Sequence, residues 1–184
     1  MTFPLYTIGH STHDLPSFVA LLQESKIALL VDIRTVPRSR TNPQFNRDTL
    51  PESLEPFQIA YRHMESLGGL RGKSKTIGPE INGFWENESF HHYADYALTE
   101  SFGQGLGELI TTSQRQPTAI MCSEAVWWRC HRRIVTDYFL ARDIPVFHIM
   151  AAHHVDLAHL TPGARIRDDL TVVYPPQAPQ LPAK

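Results

Sequence analysis

Residues 118–133 read TAIMCSEAVWWRCHRR. The apolar run at 118–121 is typical of a short buried strand, and apolar residues from Ile134 to Ala141 recur at the spacing of one buried helix face. Between them stand both cysteines of the chain, a carboxylate, an imidazole and several arginines. In parallel α/β sheets such a strand-to-helix turn opens on the crevice at the carboxyl edge, where ligands bind. The stretch therefore predicts an α/β fold with a functional site at that edge.

Strand-like and helix-like segments alternate along the rest of the chain. The five predicted strands are residues 5–8, 28–33, 59–61, 118–121 and 145–150. Helical spacing of apolar residues is found at 15–22, 90–98, 102–110 and 134–141. Asp14 is placed to cap the first of these helices. The alternation predicts a three-layer α/β/α domain around a mostly parallel sheet of about five strands.

The length of 184 residues allows one domain with a full hydrophobic core. We predict a single α/β domain over residues 1–174 and a proline-rich tail over 175–184. No apolar stretch is long enough to cross a bilayer, and the first residues lack the features of a signal peptide. Two cysteines do not make a disulfide framework, so we expect a reducing, cytoplasmic location and no membrane partner.

The charge of the chain is distributed unevenly along its length. A net charge of -2 argues against a general electrostatic attraction to nucleic acid. Residues 26–75 nevertheless hold nine Lys and Arg against five Asp and Glu, whereas residues 76–114 hold six acidic residues and no Lys or Arg. The acidic segment is typical of a solvated helical surface. The basic segment is mostly arginine and lies next to predicted strand ends.

Four polar segments follow the predicted strands at their carboxyl ends. They are residues 9–11, 34–40, 67–75 and 122–133. Because the carboxyl ends of parallel strands lie along one edge of a sheet, we expect these four segments to converge on one site.

Short motifs in these segments occur in a specific order. They are TIGHS at 7–11, DIR at 32–34, PRSR at 37–40, FN at 45–46, LGG at 67–69, MCSE at 121–124 and CHR at 130–132. Over about the first 150 residues this ordered set resembles the family catalogued as domain of unknown function 488. The resemblance implies the α/β fold and the shared edge site but no particular activity, although some members carry a DNA-repair label. The family usually has charged or small residues where this chain has residues 126–128, so we expect an altered pocket rim.

Two residues of the turn are candidates for catalysis. Cys122 ends a predicted strand, and its thiol would become a nucleophile if cations or a helix N-terminus lowered its pKa. The alternative is a buried, inert cysteine. Glu124 is a candidate general acid or base, because neighbouring indoles would exclude water and raise its pKa. Its alternative role is an ion pair with Arg129 or Arg132.

Known cysteine loops do not fit this turn. A phosphatase loop needs arginine after five intervening residues, and Trp128 stands there. A sulfur-transfer loop of the rhodanese type needs a compact turn of small residues, and this turn holds two tryptophans. Both activities are therefore disfavoured.

Cys130 and His131 are one helical position apart and cannot both face the core. We predict that Cys130 packs with the apolar helix face, while His131, a third candidate catalytic residue, and Arg132 face the edge of the sheet. A metal site built from Cys122, Cys130, His131 and His10 is an alternative, although the spacings match no structural zinc pattern.

Arginines after the second strand predict anion binding. Arg34, Arg38 and Arg40 carry planar forks that match phosphate or carboxylate. The alternative for Arg34 is an ion pair with Asp32 or Glu124. The backbone amides of residues 9–11, at the start of the first helix, are expected to bind an anion. One of the two tryptophans is expected to stack on a ring of the ligand. The other predicted ligand-binding residues are Gly9, His10, Ser11, Asn46, Gly68, Gly69, Trp127, Trp128 and Arg132.

These features favour a hydrolase or transferase acting on a small phosphorylated or nucleotide-like anion. An oxidoreductase fits less well, because the chain has no glycine-rich dinucleotide fingerprint. No cofactor and no oligomeric state are indicated. The first rival is a non-enzymatic nucleic-acid module, tied to DNA repair, that uses residues 26–75 and exposed tryptophans. The second rival is the metal-dependent site described above.

Overall fold

The computed structural model describes residues 3–177. Its strands are β1 (Leu5–Gly9), β2 (Leu29–Asp32), β3 (Ala60–His63), β4 (Thr118–Cys122), β5 (Val146–Ala151), β6 (His154–Leu157), β7 (Arg165–Ile166) and β8 (Val172–Val173). Its α-helices are α1 (Leu15–Glu24), α2 (Leu50–Leu54), α3 (Glu88–Tyr96), α4 (Glu100–Ser113) and α5 (Arg132–Leu140). Single turns of 3-10 helix occur at Pro43–Phe45, Glu55–Phe57, Glu65–Leu67 and Trp127–Arg129.

Six strands form one sheet in the order β3-β2-β4-β1-β5-β6. The first five of these run parallel, and β6 pairs antiparallel with β5. The central strand β4 is buried along its whole length, as expected for a strand covered on both faces. Its register sets Cys122 beside Gly9 of β1 and Met121 beside Asp32 of β2. The carboxyl ends of the three central strands therefore lie side by side.

Helices cover both faces of this sheet. Successive residues of a strand point to opposite faces, so Met121 packs in one apolar cluster and Ile120 in another. The first cluster holds α1 and α2 against the sheet, with Phe18 and Leu22 fully buried. The second cluster contains α3, α4 and α5. The molecule is therefore an α/β domain with three layers, as the sequence predicts.

The predicted helix cap at Asp14 is confirmed. Its carboxylate accepts a hydrogen bond from the backbone N–H of Ser17 at 2.7 Å, and Pro16 occupies the first turn. The loop that follows β1 consequently leads directly into a capped helix start, which fixes the path of the backbone after Gly9.

The sequence did not predict β6 or the small β7–β8 pair. Val155 and Leu157 of β6 are exposed, so this edge strand lacks the apolar run that marks a buried one. The β7–β8 strands have two residues each and are too short to produce a periodic pattern. Residues 175–177 of the predicted tail form neither helix nor strand, and the rest of that tail lies outside the described residues. No helix within residues 3–177 combines the length and apolar character that spanning a membrane requires.

A buried asparagine joins the loop before α3 to the C-terminal segment. The Asn82 side chain is fully buried, donates to Asp95 Oδ1 at 2.8 Å and accepts from the Tyr174 backbone N–H at 3.0 Å. The Phe84 N–H in turn donates to the Tyr174 carbonyl at 2.9 Å. Asn82 therefore helps to set the position of α3 on the sheet.

We expect Asn82→Ala to lower the free energy of unfolding by about 2–3 kcal/mol, because it leaves a buried N–H and a buried carboxylate without this partner. Urea-induced unfolding measures the change. Gln114→Ala removes an exposed amide at the end of α4 and serves as the control. An equal loss in both variants would contradict the role assigned to Asn82.

Candidate functional site

A cleft of about 770 Å³ opens at the carboxyl edge of the sheet. Its lining residues are 10–12, 34–36, Arg38, Ser39, Thr41, Asn42, Gly69, Leu70, Asn87, Ser89, Phe90, 122–125 and 129–131. The four segments that the sequence analysis expects to converge do lie around this one cleft. The start of α3 adds a fifth wall.

Arg34 is held by a buried carboxylate at the base of the cleft. Its Nε and Nη2 atoms donate to the two oxygens of Asp32 at 2.9 and 2.6 Å, and Nη2 also donates to the Phe45 carbonyl at 2.6 Å. The Tyr61 hydroxyl donates to the same carboxylate at 2.7 Å. The alternative that Arg34 pairs with Asp32 is therefore realised, and most donors of Arg34 are engaged inside the protein.

His10 is a neutral imidazole that supports this arginine. Its Nδ1–H donates to the Ser11 carbonyl at 2.8 Å, and Nε2 accepts from Arg34 Nη1 at 3.2 Å. The ring stacks on Phe45 with centroids 4.4 Å apart. Burial lowers the pKa of His10 to about 4, and the backbone hydrogen bond to Ser11 only partly opposes this.

The other predicted arginines occupy exposed positions. Arg38 lies at the cleft wall and pairs with Asp48 at 2.9 Å. Arg40 is exposed and does not line the cleft, contrary to prediction. Asn46 also lies outside the cleft. Its Oδ1 accepts a hydrogen bond from the Ser39 N–H at 2.6 Å and so helps to set the conformation of residues 34–40, which we call the arginine loop.

Three glycines allow close approaches behind or within the cleft. A Cβ at Gly9 would overlap the Glu124 carbonyl, and one at Gly68 would lie 2.5 Å from Thr35 Oγ1. Neither of these two lines the cleft, so their role is to let backbones approach each other. Gly69 does line it, and a Cβ there would lie 2.5 Å from Nδ1 of His131.

The two cysteines meet in the cleft wall. Their Sγ atoms are 2.6 Å apart, and both side chains are almost fully buried. The backbone N–H of Arg132, at the start of α5, donates to Cys130 Sγ at 3.4 Å, and His131 Nδ1 lies 3.5 Å from the same sulfur. Cys130 is buried, but the prediction that it packs with the apolar face of the helix is corrected here. Helix α5 begins at Arg132, so Cys130 precedes the helix and does not share its apolar face.

Cys130 is the more acidic sulfur of the pair. Burial by itself would raise the pKa of Cys130, but the hydrogen bond from Cys122 and the adjacent His131 and Arg132 outweigh it, so this pKa lies well below its ordinary value. Burial and the neighbouring Cys130 raise the pKa of Cys122. The predicted nucleophile, Cys122, is thus the proton donor to the more acidic sulfur.

His131 is oriented by a backbone carbonyl. Its Nε2–H donates to the Ile33 carbonyl at 2.9 Å, which turns Nδ1 toward Cys130. Tyr93 packs edge-on against the ring with centroids 4.9 Å apart. The Cys130 sulfur, the His131 imidazole and the Ile33 carbonyl therefore stand in series.

Arg132 lies beneath the turn and does not line the cleft, contrary to the prediction that it faces the edge of the sheet. Its side chain is 1% exposed, and Nη2 donates to the backbone carbonyl of Glu124 at 2.7 Å. Within residues 3–177 its Nε has no hydrogen-bond partner, and no carboxylate forms an ion pair with it. Because a buried cation requires a compensating negative group, the two neighbouring cysteine sulfurs, Cys122 and Cys130, are the groups that fit.

Glu124 and the two tryptophans differ from their predicted arrangement. Glu124 lines the cleft and is exposed to solvent, whereas neighbouring indoles were predicted to exclude water from it. Trp127 instead stacks on His148, with centroids 4.5 Å apart and planes 8° from parallel. Trp128 is 46% exposed, and neither tryptophan lines the cleft. The predicted stacking of a ligand ring on these residues has no geometric support.

The alternative metal site does not assemble in the described part of the chain. Among residues 3–177 no group of three His, Cys, Asp or Glu side chains is arranged to hold a metal ion. His10 is turned toward Arg34, and the cysteines contact each other.

The start of α3 is a part of the site that the sequence analysis missed. Asn87 caps the helix by accepting from the N–H groups of Ser89 and Phe90 at 2.9 and 3.3 Å, and all three residues line the cleft. The positive end of the α3 dipole therefore faces the cleft. The asparagine before the helical segment at residues 90–98 was the available sign of a helix start. Because Asn87 is far in sequence from any strand end, its place beside the cleft could not be predicted.

Residues 14–139 match the family model described as Domain of unknown function DUF488. The chain belongs to this family. The DUF488 match includes the Arg34 loop, Gly68 and Gly69, and the whole turn from Cys122 to Arg132, but not residues 9–11. No curated protein and no solved structure matches the chain, so the chemistry of this DUF488 domain has to be inferred from its cleft.

Two buried histidines predict acid sensitivity of the DUF488 domain. Burial, followed by the charge of Arg132, lowers the pKa of His148 to about 4, and the pKa of His10 is also about 4. In the unfolded chain both return to about 6.5, so the unfolded state binds more protons between these values. We expect the free energy of unfolding to be highest above pH 6.5 and to fall as the pH drops to about 4.

Urea-induced unfolding at a series of pH values measures this effect. His148→Gln removes one titrating group and should flatten the decline, even if it lowers stability at neutral pH. His159→Gln replaces an exposed histidine and should leave the decline unchanged. An identical decline in wild type and His148→Gln would refute the assignment.

The close approach of Gly69 to His131 gives a matched pair of glycine variants. Gly69→Ala should displace the His131 ring, which Ile33 and Tyr93 hold in place, and lower the free energy of unfolding by about 1–3 kcal/mol. Gly72→Ala adds a methyl group with nothing within 4 Å and should change stability by no more than about 0.5 kcal/mol. Chemical denaturation compares the two; similar values would show that the ring does not depend on this contact.

Proposed function

We propose that this protein is a hydrolase or transferase that binds a small phosphorylated or nucleotide-like anion in the cleft and uses the Cys130 thiolate as its nucleophile. One observation carries the proposal. Cys130 Sγ lies in the cleft wall with the Cys122 thiol, the His131 imidazole and the Arg132 backbone N–H all within 3.5 Å. Such a microenvironment is typical of reactive rather than structural cysteines.

The order of groups around Cys130 supports nucleophilic catalysis. The Ile33 carbonyl fixes the His131 tautomer so that Nδ1 can exchange a proton with the sulfur. The buried Arg132 guanidinium and the N-terminus of α5 then stabilise the negative charge that remains on sulfur. The nucleophile therefore needs no external activation at neutral pH.

Charge at the cleft walls supports an anionic ligand. Arg129 lines the cleft and forms no ion pair with a carboxylate within residues 3–177. Arg38 lies on the wall formed by the arginine loop, where its exposed partner Asp48 is easily exchanged for a ligand. The N-terminus of α3 adds partial positive charge. The Glu124 carboxylate also lines the cleft, and its negative charge opposes the binding of an anion. We propose that it carries protons between the cleft and solvent.

An apolar part of the wall supports a ring-bearing ligand. Val36 and Leu70 line the cleft and are 60% and 74% exposed. Phe90 also lines the cleft and is held by stacking on Trp85, with centroids 4.7 Å apart. This wall takes over the role that the sequence analysis assigned to Trp127 and Trp128.

The proposed reaction has two steps. The Cys130 sulfur donates an electron pair to the electrophilic centre of the ligand while the bond to the leaving group breaks. The leaving group departs with that bond's electron pair and takes a proton from the Cys122 thiol. Water in a hydrolase, or a second acceptor in a transferase, then displaces the sulfur and returns the thiolate and the proton.

The rival nucleic-acid module is less well supported, because internal contacts engage three of the nine cations of residues 26–75. Arg34 and Arg62 pair with Asp32 and Glu108, and Arg71 lies 3.8 Å above the Tyr96 ring. A cytoplasmic location is also part of the proposal and is supported by the two cysteines, which are not joined in a disulfide.

We expect nucleoside monophosphates or sugar phosphates to raise the melting temperature by binding the cleft. For such a probe, Arg129→Met and Arg38→Met should each weaken the Kd about tenfold or more, since each removes a charged hydrogen-bond donor. Titration calorimetry measures the Kd. Cys130→Ser should retain binding but lose turnover.

Arg40→Met is the matched control, because Arg40 lies on the same loop but outside the cleft. Unchanged affinity in the Arg38→Met, Arg129→Met double variant would refute the proposed anion site. A steep fall of affinity for single-stranded DNA with salt, without any small-ligand binding, would favour the nucleic-acid module.

A further inference from the structure

Cys122 is a second buried thiol at the site, and its proximity to Cys130 suggests a second chemistry. We propose that Cys122 and Cys130 form a redox-active dithiol, in which Cys130 attacks a low-molecular-weight disulfide and Cys122 resolves the product to an internal disulfide. The inference shares Cys130 with the proposed function but requires no anionic ligand. Nothing in the family description assigns such a site.

The positions of the two sulfurs carry this inference. The Sγ atoms are 2.6 Å apart, and a disulfide bond of about 2.05 Å needs only a small further approach. Cys122 ends β4, whereas Cys130 lies in the connection between the Trp127–Arg129 turn and α5. A residue in such a connection can adjust more readily than one inside a sheet, so the approach does not require β4 to move.

The surroundings assign a different role to each sulfur. Cys130 accepts from the Arg132 N–H at 3.4 Å and faces His131 Nδ1 at 3.5 Å, so it is the sulfur stabilised as the attacking thiolate. Cys122 donates a hydrogen bond to that sulfur and is placed to attack the mixed disulfide formed on Cys130. Both line the cleft, which is the route for a small oxidant to reach them.

The reaction balances with a small disulfide, RSSR, as oxidant. The Cys130 thiolate forms a bond to one sulfur of RSSR, and the S–S bond breaks with its electron pair on the departing thiolate, RS⁻, which takes up the Cys122 proton. The Cys122 thiolate then attacks Cys130 Sγ and displaces the second RS⁻, which is protonated from solvent. Two protein thiols are oxidised, and one disulfide is reduced to two RSH.

Oxidation would remove the negative charge beside Arg132. The buried guanidinium would keep its bond to the Glu124 carbonyl but lose the only neighbouring anion among the described residues. Because the protein stabilises the reduced thiolate, the disulfide should be easily reduced again. The oxidised protein would also lack its nucleophile, which makes the pair a reversible switch of the cleft.

The test uses the reduced full-length protein and oxidised glutathione, with no other ligand present. After remaining thiols are blocked with N-ethylmaleimide, trypsin cleaves after Arg115, Arg129 and Arg132, so the two cysteines fall in separate peptides, 116–129 and 130–132. We expect mass spectrometry to find these peptides joined and without bound glutathione. Dithiothreitol should separate them.

Two variants distinguish the roles of the sulfurs. Cys122→Ser should stop at a mixed disulfide with one glutathione on Cys130. Cys130→Ser should react with oxidised glutathione at least about tenfold more slowly than the wild type, because only the Cys122 thiol, whose pKa is raised, remains. Circular dichroism establishes that both variants fold, and the wild-type peptide map does not depend on them.

Three outcomes would overturn the proposal. These are a stable glutathione adduct without an internal disulfide in the wild type, full N-ethylmaleimide labelling of both cysteines after oxidation, or attack at Cys122 with wild-type rate in Cys130→Ser. None of these outcomes bears on the binding of a phosphorylated ligand by Arg38 and Arg129, which the arginine variants test independently. Conversely, failure of every anionic probe to bind would not prevent the joined peptides from appearing.

Discussion

The buried guanidinium of Arg132 is the constraint on which the site depends. It lies below the turn that joins β4 to α5, holds the Glu124 carbonyl, and thereby sets the path of the chain between the two cysteines. A cation in this position is costly without an anion, and its surroundings provide sulfur where a carboxylate would be usual. The turn, the acidity of Cys130 and the placement of α5 therefore follow from one electrostatic requirement.

The two buried arginines illustrate how partners determine a role. Arg34 donates hydrogen bonds to a carboxylate, a carbonyl and an imidazole, and so holds the arginine loop against the sheet. Arg132 keeps an Nε without a hydrogen-bond partner in the described chain and faces ionisable sulfur. Burial alone would not separate these functions, whereas the identity of the neighbouring anion does.

The layer architecture, the Asp14 cap and the meeting of four loops could be predicted from sequence, because apolar periodicity and parallel pairing determine them. The role of Cys130 could not, because it depended on whether α5 starts before or after that residue. The tryptophans were misplaced for a related reason. Trp127 turns away to stack on His148, a strand residue far along the chain. The α3 wall was missed because it lies in the long segment between β3 and β4, away from any strand end.

The acidity of Cys130 is a property of the assembled fold and not of its local sequence. The groups around it come from Ile33, Cys122 and the first turn of α5, which are brought together only once β2 and β4 have paired. A ribosome-bound or newly released chain consequently carries two ordinary cysteines with little thiolate at neutral pH. If Cys130 acts as proposed, its reactivity is absent from the nascent polypeptide and is acquired only when β2, β4 and α5 have come together.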